Sequence, residues 1–229
     1  MQNNALLFMK YVKANYPTVT LNAICGIIGN CEKESTINSG RYQSDSTSST
    51  TNGYGFIQWT PWNTKIGSSS WLTTFGASNK KEPEYQIRVI MAMLGLGSSA
   101  EVSLLNGNWI NRSGGYSVTG LGGQWYPYMT KSAYLTSTAS AYDLGLVFHA
   151  CAEGSADGTN KITARGNCCQ SWYDFLLPYW NGQSEQSSVS ETTTGEEIPL
   201  ESDDTGKTEL TQKNKLLRVY SNRNTYKFR

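Results

Sequence analysis

Apolar side chains recur every three or four positions through most of residues 1–182, which is the spacing of one buried face of an α-helix. The pattern predicts two helices at the start of the chain, over 4–16 and 21–34, separated by Pro17. Thr20 precedes the second helix in the position of an N-cap. Further helices are predicted over 82–96, 131–136, 140–152 and 168–179.

Glycine and small polar residues interrupt this helical pattern. Residues 35–52 and 106–124 are predicted to be loops, and residues 53–60 to be one strand of a small hairpin. The sequence contains neither an internal repeat nor an alternation of strands with helices. The pattern therefore predicts a mainly α member of the α+β class, with a small β-hairpin wing.

The composition changes after residue 182. Residues 183–206 are rich in Ser, Thr and Glu and carry seven acidic side chains with no basic one, so we expect an acidic linker that cannot bury enough apolar surface to fold. Residues 207–229 carry seven Lys and Arg against one Glu. This basic tail is either solvated or able to add a strand to a partner. The predicted domain is thus 1–182, followed by a flexible C-terminal tail.

The overall charge and the histidine count exclude several classes of function. A formal net charge of +1 argues against broad attraction to nucleic acid. The single His149 argues against a His-rich zinc site, and we expect neither a metal nor another cofactor. No apolar run approaches the ~18 residues of a membrane-spanning helix, and the first residues do not have the pattern of a signal peptide.

Five cysteines are present, and an odd number cannot pair completely within one chain. We expect buried, reduced thiols of a protein made in a cytoplasm. One disulfide is left open among Cys151, Cys168 and Cys169.

Glu34 is the strongest candidate for chemistry. It ends the apolar helix predicted over 21–34, where the helix dipole disfavours negative charge and apolar surroundings remove solvation. Both effects raise the pKa of a carboxyl group. A Glu that stays protonated near neutral pH can donate a proton to a glycosidic oxygen. The alternative is an ordinary charge at the surface end of a helix.

The glycine-rich run GYGFIQWTP, over 53–61, offers a matching binding surface. Glycines such as Gly55 let a sugar chain approach the backbone, and Gln58 can hydrogen-bond a hydroxyl or N-acetyl group. Tyr54 or Trp59 can line a cleft and stack on a sugar face, with core packing as the alternative for each ring.

Together the two segments resemble a known family. The run IIGNCEKESTIN, over 27–38, followed by GYGFIQWTP, is similar to the pattern of the phage tail lysozymes: Gly-Asn, three residues, Glu-Ser, a loop, then Gly-aromatic-Gly-x-x-Gln-Trp-Thr. Such domains occur as lysozyme halves of tail-knob proteins in small podoviruses of Gram-positive hosts. Goose-type lysozymes and lytic transglycosylases share a looser version.

The resemblance covers about residues 2–180, because 148–153, Arg165 and the aromatic pair at 172–173 also match the family. This sequence departs from the family at Ala152, where Tyr is usual, and at Gly154, where Arg is frequent. The resemblance implies a lysozyme-like fold and cleavage of the β-1,4 bond between N-acetylmuramic acid and N-acetylglucosamine, with Glu34 as catalytic acid. The substrate-binding residues expected with it are Ser35, Tyr54, Gly55, Gln58, Trp59 and Glu153.

A second carboxylate is less well defined. Asp45 lies in the loop between the two halves of the motif and is the predicted partner of Glu34, orienting water or stabilising positive charge. A simple turn residue is the alternative. Glu153 is expected to support the cleft wall or to pair with Arg165. Without a second carboxylate at the sugar, a lytic transglycosylase that forms an anhydro product becomes the alternative outcome.

Three functions compete at this point. The first is a virion-associated muramidase at the tail tip, which opens peptidoglycan during phage genome entry and is held to tail-knob proteins through its C-terminal tail. The second is a catalytically degenerate plug or wall-binding protein of the same tail. The third, an amidase using Cys25 and His149, is disfavoured because Cys25 lies inside an apolar helix.

Overall fold

The computed structural model describes residues 1–43, 49–110, 116–117, 125–126, 129–153 and 159–182, and these residues are mainly helical. The predicted predominance of helix is therefore confirmed. A 3₁₀ turn covers Trp62–Thr64, and a π-helical turn, His149–Glu153, extends α7. The α-helices are α1 (Gln2–Asn15), α2 (Leu21–Ser35), α3 (Ser69–Phe75), α4 (Pro83–Met93), α5 (Ser99–Leu104), α6 (Lys131–Thr136), α7 (Ala141–Phe148) and α8 (Thr159–Trp180).

Helix α2 packs against both α7 and α8, and these two helices also pack against each other. Every side chain from Ala23 to Cys31 is buried. Burial of each large aliphatic residue in this run stabilises the fold by about 1.5–3 kcal/mol. The predicted N-cap is confirmed, because the Thr20 hydroxyl accepts a hydrogen bond from the Ala23 amide at 3.2 Å. The helix ends where Thr36 adopts a left-handed backbone conformation.

Glycines allow α2, α7 and α8 to approach one another closely. A Cβ atom on Gly29 of α2 would lie 2.3 Å from the sulfur of Cys169 and 2.7 Å from its Cα and backbone N. A Cβ atom on Gly145 of α7 would meet the same sulfur at 2.3 Å. The three helices therefore meet around Cys169, with no room for a larger residue at either glycine.

Short helices and the loop regions account for the differences from the sequence-based prediction. Helices α3 and α5 were not predicted, and α8 begins nine residues before its predicted start at 168. The predicted strand over 53–60 is wrong: the segment forms turns, with one isolated antiparallel bridge between Tyr42 and Tyr54. Two-residue strands, Tyr116–Ser117 (β1) and Trp125–Tyr126 (β2), pair within and just beyond the predicted loop 106–124.

All five cysteines are buried and free, so the prediction of buried thiols is confirmed and the disulfide left open is not formed. No described helix is long and apolar enough to cross a membrane. The first compact unit spans Met1–Ser187. The predicted linker and basic tail, 183–206 and 207–229, lie outside the described residues.

Candidate functional site

Glu34 occupies the last turn of α2 and faces a cleft of about 270 Å³. Its side chain is 24% exposed. The two residues that follow the motif Glu34–Ser35 both have positive φ angles, 57° at Thr36 and 53° at Ile37. Such angles are strained for β-branched residues, so the chain turns sharply here under constraint from its surroundings. The described residues that line the cleft are Glu34, Ile57, Gln58, Trp59, Thr60, Lys65, Asn108, Ala152 and Glu153.

Ser35 joins the two halves of the sequence motif from inside the protein. It is fully buried, and its hydroxyl lies 3.0 Å from the carbonyl oxygens of both Cys31 and Phe56. The same oxygen accepts a hydrogen bond from the Asn38 amide at 3.2 Å. Ser35 therefore attaches the glycine-rich segment to the end of α2, behind Glu34, and does not line the cleft.

Gln86 of α4 holds the glycine-rich segment from the opposite side. Its carbonyl oxygen accepts from the Phe56 amide at 2.8 Å, and its side-chain nitrogen donates to two backbone carbonyls at 2.7 Å. Gly55, at φ 83°, makes this possible, because a Cβ there would lie 2.4 Å from the Gln86 oxygen. Gly55 therefore packs closely on Gln86 and is not among the described residues that line the cleft. The only hint of Gln86 in the sequence is one uncharged polar residue on an otherwise apolar helical face.

Tyr54 belongs to an aromatic cage rather than to the cleft. Its ring is 2% exposed and lies against the rings of Tyr42 and Trp62. The ammonium group of Lys80 sits 3.1 Å from the centroid of Trp62, 4.6 Å from that of Tyr54 and 4.8 Å from that of Tyr42. Lys80 also donates a hydrogen bond to the Tyr42 hydroxyl at 2.8 Å. This cation–π cluster fastens the glycine-rich segment to the residues before α4.

Lys80→Met is expected to lower the free energy of unfolding by about 1–2 kcal/mol, because it removes the cation but keeps most of the aliphatic stem. Urea denaturation followed by fluorescence measures the change. The matched control is Lys81→Met at the adjacent, exposed lysine, which should change stability by less than about 0.5 kcal/mol. Equal effects of the two substitutions would contradict a specific role for the cage.

Two neighbouring cleft residues carry buried polar atoms with no partner among the described residues. They are Oε1 of Gln58 and Nε1 of Trp59. Gln58 is held by its side-chain nitrogen, which donates to the Gly55 carbonyl at 2.9 Å and contacts the Arg41 carbonyl at 3.3 Å. Buried polar groups are rarely left without hydrogen bonds in folded proteins, so this acceptor and this donor each require a partner that the described residues do not supply.

The cleft's helical wall contains a buried network centred on Arg165. One Nη atom contacts Glu34 Oε1 at 2.5 Å, and the other contacts Glu153 Oε2 at 3.1 Å and donates to Asn30 Oδ1 at 3.2 Å. His149 Nδ1 lies 2.8 Å from the same Glu153 oxygen. The expected pairing of Glu153 with Arg165 is confirmed, whereas the contact between Arg165 and Glu34 was not predicted. The other oxygen of Glu153 is buried and has no partner among the described residues.

This environment raises the pKa of Glu34. Burial is the main cause, and the negative charge of Glu153 acts in the same direction, while the hydrogen bond and charge of Arg165 oppose both. The acid form of Glu34 therefore persists to higher pH than that of an exposed glutamate. A carboxylic acid held in this way beside a polar cleft is suited to proton donation.

The remaining sequence-based predictions are Asp45 as a second carboxylate and Cys25 as an amidase nucleophile. Asp45 falls in the segment 44–48, which lies outside the described residues. Cys25 is fully buried, and burial raises the pKa of its thiol well above its usual range, which opposes an amidase nucleophile. No group of three or more His, Cys, Asp or Glu side chains suited to a metal ion occurs in the described part of the chain.

The central helix thus ends in a half-buried acid that faces a cleft. The sequence model of the phage tail lysozymes matches residues 3–176, and the chain belongs to that family. Among curated proteins, Morphogenesis protein 1 of Bacillus phage B103 is 29% identical over 182 residues. The match covers 76% of this chain and 42% of that protein, so the chain spans less than half the length of this relative.

Proposed function

We propose that this protein is a muramidase that cleaves the β-1,4 bond between N-acetylmuramic acid and N-acetylglucosamine in bacterial peptidoglycan. The observation that carries the proposal is the raised pKa of Glu34 at the edge of a cleft with unpartnered buried polar atoms. Family membership supports a lysozyme-like fold and a role in a phage tail. A catalytically degenerate plug would have no need of a carboxyl group with a raised pKa beside buried polar atoms that lack a described partner.

In the proposed reaction, Glu34 donates its proton to the glycosidic oxygen as the bond to the anomeric carbon breaks. Trp59 Nε1 and Gln58 Oε1 together offer one donor and one acceptor, the complement of an acetamido group with its carbonyl and N–H. After proton transfer, Arg165 stabilises the Glu34 carboxylate through the contact it already makes. A water directed by Asp45 would complete hydrolysis.

A lytic transglycosylase is the second candidate, and one observation favours it. Glu34 and Glu153 are the only carboxyl groups among the described lining residues, and both are bound to the same guanidinium group. A carboxylate that activates water for inversion would instead lie across the sugar, roughly 6.5–9.5 Å from the acid. If Asp45 does not supply it, the 6-hydroxyl of the sugar would attack the anomeric carbon and leave a 1,6-anhydro end.

The remaining proposals concern where the enzyme acts. We infer a virion protein at the tail tip that degrades the host wall during genome entry, with 1–182 as the enzymatic domain. The acidic linker 183–206 would give this domain reach, and the basic segment 207–229 would attach it to tail-knob proteins. The phage morphogenesis relative supports the setting in a phage particle.

Digestion of purified Gram-positive peptidoglycan by the full chain is expected to release disaccharide-containing fragments, because the proposed reaction breaks glycan strands and leaves peptide stems intact. Mass spectrometry of these fragments distinguishes the candidates. Reducing-end N-acetylmuramic acid indicates hydrolysis, and a 1,6-anhydro end indicates the transglycosylase. Release of free peptide stems without glycan cleavage would contradict both.

A further inference from the structure

Two acids and one base share a buried site at the helical wall of the cleft. The side chains of Arg165 and Glu153 are each 8% exposed, and that of Glu34 is 24% exposed. With both carboxyl groups ionised and His149 neutral, this cluster would hold two negative charges against the single charge of Arg165. An uncompensated charge in such surroundings is costly, whereas one bound proton removes it.

The hydrogen bonds of Glu153 are unequal. Its Oε2 atom lies 3.1 Å from Arg165 Nη1 and 2.8 Å from His149 Nδ1. Its Oε1 atom is buried and has no hydrogen-bond partner among the described residues. Both carboxyl groups contact the planar guanidinium of Arg165, so they are neighbours. Glu153 Oε1 needs a hydrogen-bond donor, and the hydroxyl group of protonated Glu34 is such a donor.

We propose that Glu34 and Glu153 hold one proton between them, carried by Glu34 and shared with Glu153 through a hydrogen bond, while Arg165 and His149 orient Glu153 as its acceptor. Glu153 is then a positioning residue that acts through Glu34. The inference rests on the proposed role of Glu34 as catalytic acid. When Glu34 gives its proton to the leaving oxygen, its O–H bond breaks, a new O–H bond forms on the sugar, and the resulting carboxylate stays bound to Arg165.

The other groups around the pair do not replace Glu153 in this role. The thiol of Cys31 is buried near Glu34 and Glu153, and burial raises its pKa well above the usual range, so it stays neutral. Lys65 lines the same cleft but is not among the groups that shift the pKa of Glu34. Among the described residues, the titratable or charged groups around Glu34 and its partners are Cys31 from α2, Lys65 from the end of the 3₁₀ turn, His149 and Glu153 from the π-helical turn, and Arg165 and Cys169 from α8.

Carboxyl ¹³C NMR of the full chain, labelled at Glu and titrated with pH, tests the inference directly. The Glu34 and Glu153 resonances, assigned with Glu34→Gln and Glu153→Gln, are expected to shift together over the same pH interval, as for two coupled acids. In Glu153→Gln the Glu34 midpoint should fall by about one pH unit, because a neighbouring negative charge is lost. A Glu34 resonance, assigned with Glu34→Gln alone, that titrates in the wild-type protein as a single uncoupled acid would overturn the inference, even if Glu153→Gln does not fold.

The pH profile of peptidoglycan cleavage gives the functional measurement. Activity requires protonated Glu34, so it falls as pH rises through the Glu34 pKa, and Glu153→Gln should move this alkaline limb about one unit toward acid. The matched control is Glu32→Gln, two residues away on α2, where the carboxylate accepts from Trp172 Nε1 at 2.6 Å outside the cleft. An unchanged limb in folded Glu153→Gln overturns the inference. If the protein does not cleave peptidoglycan but the inference holds, the Glu34 and Glu153 resonances will still titrate together.

Discussion

Glu34→Gln is expected to lower the rate of peptidoglycan cleavage by about 10²–10⁴-fold, the range in which general acids contribute. The amide has nearly the same shape as the acid but cannot release a proton. The contact with Arg165 can be kept through the amide oxygen, so the substitution changes the chemistry more than the packing. Loss of turbidity of purified Gram-positive cell walls, followed at constant pH, measures the rate.

Glu32→Gln is the matched control for this experiment, because it makes the same chemical change on the same helix. Glu32 bonds to Trp172 rather than to the cleft, and its amide variant should retain the wild-type rate. Thermal unfolding of both variants separates a loss of chemistry from a loss of structure. Near wild-type cleavage by folded Glu34→Gln would refute the assignment of Glu34 as the acid.

Gly29→Ala should produce the largest loss of stability, about 3 kcal/mol or more, at the upper end of the effects seen when packed cores are overfilled. The new methyl group would lie 2.7 Å from two backbone atoms of Cys169 as well as 2.3 Å from its sulfur. A side chain can rotate away, but the backbone of α8 can move only if the whole helix separates from α2. Chemical denaturation gives the free energy of unfolding.

Gly40→Ala provides the comparison, since it adds the same methyl group at an exposed turn. The nearest atom there is the Asn38 side-chain oxygen at 3.4 Å, which can adjust. We expect a change within about 0.5 kcal/mol. Similar stabilities for the two alanine variants would show that α2 and α8 are less closely packed than described.

The central helix and its acid were predictable because their signals are local. Leu21–Ser35 carries both a strong apolar period and an N-cap, and Glu34 is placed by its position at the end of that helix. The short helices α3 and α5 were not predicted because one or two turns contain too few residues to show a helical period of apolar side chains. Their N-caps, Ser68 and Ser98, were the available signals.

The contacts around Glu34 could not be predicted, because they depend on residues far apart in the chain. Arg165 is 131 positions from Glu34, and no spacing rule relates two helices joined through intervening loops. The apolar run over 53–60 was mistaken for a strand because its side chains are buried for another reason. The segment packs on the Gln86 amide through Gly55 and the Phe56 N–H, and it lines the cleft with Ile57, Gln58 and Trp59, which turns achieve as well as a strand.

The two sides of the cleft differ in how readily their residues can be substituted. The acid and its charged partners stand on α2, the π-helical turn and α8, where glycine contacts leave little room for substitution. Gln58 and Trp59, on the other side of the cleft, belong to a loop held by Ser35, Gln86 and Lys80. Under the proposed function, substitutions at Gln58 or Thr60 would alter which cell-wall polymers fit without disturbing the proton donor. A phage with such an enzyme would adapt to a new host by changing the loop side of the cleft and keeping the helical side.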